Sequence, residues 1–286
     1  MANYYPQATH TTTDAQLIAL WLLGKRHATK TSYATVVRQF RDFIGDKGLA
    51  DVGLEDILLW LGSLELRGFT SSTINQRLAA IRSLFAFACK CGYLPLSVAQ
   101  GVKTQPPSDV LHERILEQEE VKKLIGAAKS ERDRLLLSLL YATGLRVSEI
   151  CSLNWSDLKP RSSGGQATVI GKGGKARTVL IGQGLWQQIL GLERSQKTSA
   201  VFVSRTGRRL DRTMLHKIIK DCAERAGVNP HVSAHWLRHA HACHSLENGC
   251  DIDVLMRSLG HSSLTVTSKY LHARPNEGSS QFIELD

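Results

Sequence analysis

Five short stretches of this sequence place side chains that handle anions and protons at regular spacing. Thr143-Gly-Leu-Arg-Val-Ser-Glu-Ile150 puts Arg146 at the expected start of a helix. Free backbone N–H groups and the helix dipole favour an anion there, and a guanidinium can fork onto two phosphate oxygens. Pairing of Arg146 with Glu149, three residues on, is the plainer alternative. Lys172, in the glycine-flanked run Gly171-Lys-Gly-Gly-Lys175, is free to reach across a cleft and protonate a leaving oxygen, or simply to stand in solvent. Lys175 and Arg177 compete for that role. In His235-Trp-Leu-Arg-His239, the residues His235, Arg238 and His239 fall at i, i+3 and i+4, so one helix face presents all three. Imidazole beside guanidinium suits an anionic centre that also needs a proton relay. A zinc site is the rival there, recruiting His231, His241, Cys243 or His244, but Arg238 would repel a cation. In Leu259-Gly-His261 and Thr267-Ser-Lys-Tyr270, Gly260 ends a helix and His261 follows the break. Tyr270 comes late on the next helix, where a tyrosine on its own packs with its hydroxyl at the rim.

The elements that must position these groups are readable from periodicity. Helical patterns run through 14–24, 32–44, 54–67 and 72–91, with Thr13 and Ser71 or Ser72 as N-caps and Gly45, Gly68 and Gly92 as stops. The fourth carries an apolar stripe of Ile74, Leu78, Ile81, Leu84, Phe85 and Ala88. Its cations Arg77, Arg82 and Lys90 either face solvent or meet nucleic-acid phosphates. Periodicity lapses between about 93 and 112, where Pro95, Pro106 and Pro107 suggest a linker. Helices follow at 117–129, 131–143, 147–153, 183–194, 211–226, 233–248, 251–259 and 263–271. Residues 167–170 and 177–181 read as two strands joined by the glycine-rich 171–175 turn, and 200–203 as a further strand. The expected fold is mainly α with a small β-sheet, in two domains: helical 1–105, linker included, and α+β 106–286.

Composition narrows the partners. A chain of 286 residues with 42% hydrophobic and 22% charged residues can bury a sizeable core. Its formal charge of +10 points to a polyanion, of which nucleic acid is the commonest. The opening MANYYPQATHTTTD has neither the basic region nor the apolar stretch of a secretory signal, and no run approaches a membrane span. A cytoplasmic or nucleoid location is therefore expected. The scattered cysteines Cys89, Cys91, Cys151, Cys222, Cys243 and Cys250 fit reduced thiols better than a disulfide framework.

Taken together and in this order, TGLRVSEI at 143–150, GKGGKAR at 171–177, HWLRH at 235–239, LGH at 259–261 and TSKY at 267–270 resemble the tyrosine recombinases, or phage integrase family, and among them the compact Xer-type proteins. The resemblance covers essentially the whole chain, because the helical front unit is similar to that family's core-binding domain. After Arg238-His239 this chain has Ala-His-Ala, where the Xer-type pattern more usually has a hydroxyl residue and an aromatic.

The resemblance implies a site-specific recombinase whose catalytic residues are Arg146, Lys172, His235, Arg238, His261 and Tyr270. Arg146 and Arg238 would clamp the scissile phosphate, and Tyr270 would attack it to give a 3′-phosphotyrosine. His235 would act as base or relay, Lys172 would protonate the departing 5′ oxygen, and His261 would hydrogen-bond the phosphate. Glu149 would orient a basic neighbour, His235 first among them, with His239 in support. Arg77, Arg82, Lys90, Lys175 and Arg177 would contact DNA. No metal, ATP or other cofactor is expected, since the phosphotyrosine conserves the phosphodiester's energy. The two units would close around double-stranded DNA, and four copies, or a tetramer shared with a paralogue, would assemble on two sites. Phe282 and Ile283 near the C-terminus could dock on a neighbouring copy. Two rivals are a type IB topoisomerase, distinguished by relaxation of plasmid lacking a target site, and a catalytically silent DNA-binding protein of the same fold.

Overall fold

A computed structural model describes residues 13–104, 114–171, 174–261 and 263–273. The chain divides into two compact units, Met1–Asp109 and Val110–Asp286.

The described part of the first unit is helical: α1 (Asp14–Leu23), α2 (His27–Ile44), α3 (Leu54–Leu66) and α4 (Ser71–Lys90). Thr13 caps α1 by accepting from the Gln16 amide at 3.3 Å. The cap of α4 is Thr70, one residue ahead of the expected serines, because its extended backbone turns its hydroxyl onto the Thr73 amide. All six apolar-stripe residues of α4 are 2% exposed or less, which confirms its amphipathic reading. Asp14 locks the bundle. Its carboxylate accepts from Arg41 Nη1 and the Leu49 amide at 2.9 Å, and from the Tyr93 hydroxyl at 2.8 Å.

The second unit is built on α6 (Glu131–Thr143), whose leucines 135, 136, 137, 139 and 140 are at most 1% exposed. Around it pack α5 (Gln118–Gly126), α7 (Val147–Ser152), α8 (Gln183–Leu190), α9 (Arg212–Ala226), α10 (Ala234–Glu247), α11 (Ile252–Leu259) and α12 (Leu264–Ala273). A three-stranded antiparallel sheet joins them, with β1 (Leu158–Arg161), β2 (Gly164–Ile170) and β3 (Ala176–Gly182) in sequence order. Ala167 and Val169 on β2, with Val179 and Ile181 on β3, alternate inward onto the core, as the period of a strand requires. Strand β1 escapes sequence reasoning because Leu-Lys-Pro-Arg has no alternation, and its proline is tolerated only on an edge. Residues 200–203 do not form the expected strand. They make only isolated bridges, Asn154 with Ala200 and Val203 with Arg209, while Ala200, Val201 and Phe202 are buried as a core segment.

Gly165 on β2 lies directly under the Trp186 ring, with no room for a Cβ. Gly165→Ala is expected to destabilise the unit by roughly 1–3 kcal/mol through overpacking. A thermal melt indistinguishable from wild type would show that the ring moves aside freely.

Candidate active site

Two helices end facing one guanidinium. Helices α6 and α11 are each closed by a left-handed glycine, Gly144 with φ 59° and Gly260 with φ 64°, so their last carbonyls point outward unpaired. Arg238, on the first turns of α10 and 5% exposed, fills that gap. It donates through Nη1 to the Gly144 carbonyl, and through Nη2 to the Leu259 carbonyl at 2.8 Å. Both helix dipoles present their negative ends to it, which favours a buried cation. Burial, with the Arg146 and Arg177 charges, lowers its pKa to about 10, so it stays a cation at neutral pH.

The second arginine arrives from α7. Arg146 is its N-cap, as expected, and its own amide donates to Glu149 Oε2 at 2.8 Å. Its Nη1 donates to Glu149 Oε1 at 3.0 Å and its Nη2 reaches the Gly260 carbonyl at 3.4 Å, leaving the side chain 27% exposed. Both arginines therefore converge on the 259–261 turn.

Glu149 does not orient His235. Its side chain, 1% exposed, holds Arg146 on one side and Arg177 on the other, with Arg177 Nη1 at 2.5 Å and Nη2 at 2.9 Å. Burial raises the carboxyl's pKa, but the Arg177 hydrogen bonds, the Arg146 amide, the Arg177 charge and the Arg146 side-chain hydrogen bond outweigh it and hold it below its ordinary value. Arg177, expected as a DNA contact, is likewise engaged inside its own unit. Its Nε donates to the Ser258 carbonyl at 2.7 Å, so the whole fork is spent on tying β3 to α7 and the end of α11. Gly260 must be a glycine for this to fit, since a Cβ there would lie 2.9 Å from Arg177 Cδ.

His261 sits against Arg238, with Nη2 to Nε2 at 3.0 Å, and its Nδ1 is 2.9 Å from Thr267 Oγ1. A guanidinium can only donate, so Nε2 accepts and Nδ1 carries the proton that goes to threonine. In this arrangement the nitrogen nearest the arginines offers no N–H to an anion. Burial and the surrounding cations lower the His261 pKa to about 4.

Tyr270 is 3% exposed, and its hydroxyl lies 2.9 Å from His239 Nδ1. The partner is thus His239 rather than His235. His235 is exposed at the start of α10, where desolvation and the charges of Arg238, Arg146 and Lys269 hold its pKa below the ordinary value. Burial pushes Tyr270 up to about 12, against the opposing pull of Arg238 and Arg146. Burial first, then Lys269, takes His239 down to about 4. Two neutral groups share this hydrogen bond. The Tyr270 and His261 rings stack with centroids 6.5 Å apart, which keeps the phenol beside the arginines.

Lys172 lies outside the described residues, and Lys175 is exposed next to the turn. In the first unit Lys90 is exposed, whereas Arg82 Nε donates to the Ala99 carbonyl at 3.3 Å and Arg77 stacks 4.1 Å from the Phe69 ring centroid. Those two are tied into their own unit before any DNA arrives. Sequence reasoning missed Arg67, which also lies over Phe69, and Lys269, 5.2 Å over the Tyr270 ring. Among the described residues no three His, Cys, Asp or Glu side chains gather as a metal site, so the zinc reading of α10 has no ligand set there. All six cysteines are free thiols.

Comparison with known proteins follows the same division. Residues 114–277 match the Phage integrase family, and residues 17–92 match the Phage integrase, N-terminal SAM-like domain. Tyrosine recombinase XerD of Mycobacterium tuberculosis is 32% identical, over 85% of this chain and 86% of its own. Among solved structures, a lambda integrase(75-356) dimer bound to a COC' core site superposes with a TM-score of 0.77 at 18% identity, covering 96% of this chain and 99% of that one. A lambda integrase tetramer bound to a Holliday junction superposes with a TM-score of 0.73 at 18% identity, covering 89% and 79%. At those identities the two structures speak for the fold alone.

Proposed function

The chain belongs to the phage integrase family, and on that premise we propose that Tyr270 is the nucleophile of a phosphate site clamped by Arg146 and Arg238. The protein is a site-specific recombinase of the Xer kind, an enzyme that cuts and rejoins double-stranded DNA. The observation that carries the site assignment is convergence: both arginines reach the 259–261 turn, and the Tyr270 ring stacks on His261 in that same turn.

The chemistry divides between these groups. Two guanidiniums at the non-bridging oxygens oppose the charge that builds in the pentavalent transition state. The Tyr270 oxygen bonds to phosphorus, the bond to the 5′ oxygen breaks, and the 3′ phosphate stays on the protein. The phenolic proton leaves to a histidine, His235 being the exposed one, and Lys172 protonates the departing 5′ oxygen. Return attack by a 5′ hydroxyl of a partner strand completes exchange through a Holliday junction, without metal or ATP. The tetramer on two DNA sites follows from that exchange of strands between duplexes. Residues 1–105 serve as the core-binding domain and 106–286 as the catalytic domain. No described helix is long and apolar enough to cross a membrane, and a cytoplasmic, nucleoid-associated role fits a DNA substrate.

A nicked suicide duplex carrying a candidate site tests this reading. Cleavage releases a short fragment and traps the enzyme, so a denaturing gel with chelator present and ATP omitted should show a protein–DNA adduct. Peptide mapping should place the DNA on Tyr270. An adduct mapped to another residue, or strand cleavage with no adduct, would overturn the assignment.

A further inference from the structure

Thr267 has no part in the chemistry above, yet it is a buried polar side chain in the middle of the site. It is 0% exposed on α12, one turn before Tyr270, so the two share a face of that helix. A buried hydroxyl is costly unless it is hydrogen-bonded, and valine has the same shape without one. The partner of Thr267 is the ring of His261, with Oγ1 2.9 Å from Nδ1. The backbone of His261 is already held, since its amide donates to the Met256 carbonyl at 3.1 Å behind the αL turn at Gly260. What remains to be set is the ring, and two hydrogen bonds set it: Arg238 Nη2 at Nε2, 3.0 Å away, and Thr267 at Nδ1. The ring held in this way lies 15° from parallel to the Tyr270 ring.

From this arrangement we infer that Thr267 is a positioning residue, whose hydroxyl lets His261 exchange the nitrogen that carries its proton when a phosphate enters the site. The inference rests on the phosphate site proposed above. A guanidinium and a phosphate make opposite demands on Nε2. Beside Arg238 it must accept, so the single proton of the neutral ring sits on Nδ1 and goes to Thr267 Oγ1. A phosphate oxygen drawn to Arg238 Nη2 comes within reach of Nε2 as well, and that oxygen can only accept. The ring then serves it with an N–H at Nε2, which leaves Nδ1 a bare acceptor. The proton count is unchanged, because Nε2 gains one from water as Nδ1 returns one. A carbonyl or an amide N–H in place of the hydroxyl would satisfy one of these states and oppose the other. A hydroxyl both accepts and donates, so by turning about its C–O bond Thr267 pairs Nδ1 in either. The hydrogen bond at one ring nitrogen ordinarily decides which tautomer an imidazole keeps. Here the partner of Nδ1 accommodates both, and the anion decides.

Thr267→Val, which keeps the branched shape, and Thr267→Ser, which keeps the hydroxyl, are compared with wild type in single-turnover cleavage of the suicide duplex. Each change is also made beside His261→Ala. Thr267→Val is expected to lose about tenfold or more in cleavage rate, with duplex affinity within about threefold of wild type. Thr267→Ser should stay within about threefold of the wild-type rate. Beside His261→Ala the valine should cost under about twofold more, because no ring is left to position. Ring-nitrogen NMR shifts of His261, identified by their absence in His261→Ala, give the place of the proton. It should lie on Nδ1 in Tyr270→Phe protein alone, and on Nε2 in the same protein bound to uncleaved duplex. Equal losses from Thr267→Val with and without His261, or no loss in either, would overturn the positioning role. Any other protonation of the ring in the complex would overturn the exchange. Absence of adduct from wild type would instead overturn the phosphate site, and this inference with it.

Discussion

Tyr270→Phe is expected to leave no detectable covalent adduct on a suicide duplex while binding that duplex within about threefold of wild type. The effect is total because a phenyl ring offers no oxygen to phosphorus, and no partial function remains to be measured. The folded state should tolerate the change. Tyr270 is 3% exposed, and the hydroxyl's hydrogen bond, to His239 Nδ1, is the contact that phenylalanine loses. Leaving that buried nitrogen unpaired costs about 1–3 kcal/mol. The wild-type resting state is itself poorly armed. With its pKa pushed up to about 12 by burial, the phenol is ionised on the order of once in 100,000 molecules at pH 7. The bond to His239, an imidazole taken down to about 4, does not relieve this, because so weak a base does not take a proton from so weak an acid. His239 thus holds Tyr270 rather than activates it, and DNA must draw the hydroxyl away from Nδ1 toward the arginines. A retained adduct in Tyr270→Phe would mean that another side chain attacks, and would remove this tyrosine from the mechanism.

Much of the frame was legible because it depends on local physics. The αL stops at Gly144 and Gly260, the apolar stripe of α4 and the β2–β3 hairpin are all dictated by period and turn chemistry within a dozen residues. The clustering was legible too, since Arg146, Arg238, His261 and Tyr270 lie around one turn. What spacing could not decide was which neighbour each group would choose. His235 and His239 are one helical turn apart, so α10 offers both on one face, and only the docking of α12 makes His239 the partner of Tyr270. Glu149 was expected beside His235, yet Arg177 takes it from 28 residues away in sequence. That choice needs the sheet and α7 to be brought together first. Arg177 reads as a surface cation in a hairpin because nothing local says that its Cβ points inward to a buried carboxylate. The contact of His241 with Gly144 is not legible either, since it is made between helices far apart in the chain.

The same carboxylate supports the second large expectation. Glu149→Gln should destabilise the catalytic unit by about 3–5 kcal/mol, the usual cost of breaking a buried ion pair by removing one partner. The carboxylate meets Arg177 through both oxygens and Arg146 through an amide and a guanidinium. An amide in its place turns an N–H₂ group toward donors and leaves two cations uncompensated. For a unit of this size each 1 kcal/mol is worth about 2–4 °C in Tm. The sign with pH follows from the carboxyl's lowered pKa: its contribution is fully present above the unfolded-state value, about 4.3, and is lost as pH falls through the lower folded value. Wild type and Glu149→Gln should therefore differ most near neutrality and converge in acid. Duplex DNA adds a further discriminator, because its phosphate can supply part of the missing negative charge to Arg146. The variant's Tm should rise more on DNA binding than wild type's does. A Tm within about 2 °C of wild type without DNA, at neutral pH, would mean that Arg146 and Arg177 hold their places without the carboxylate. The preorganised clamp would then have to be ascribed to the two helix ends alone.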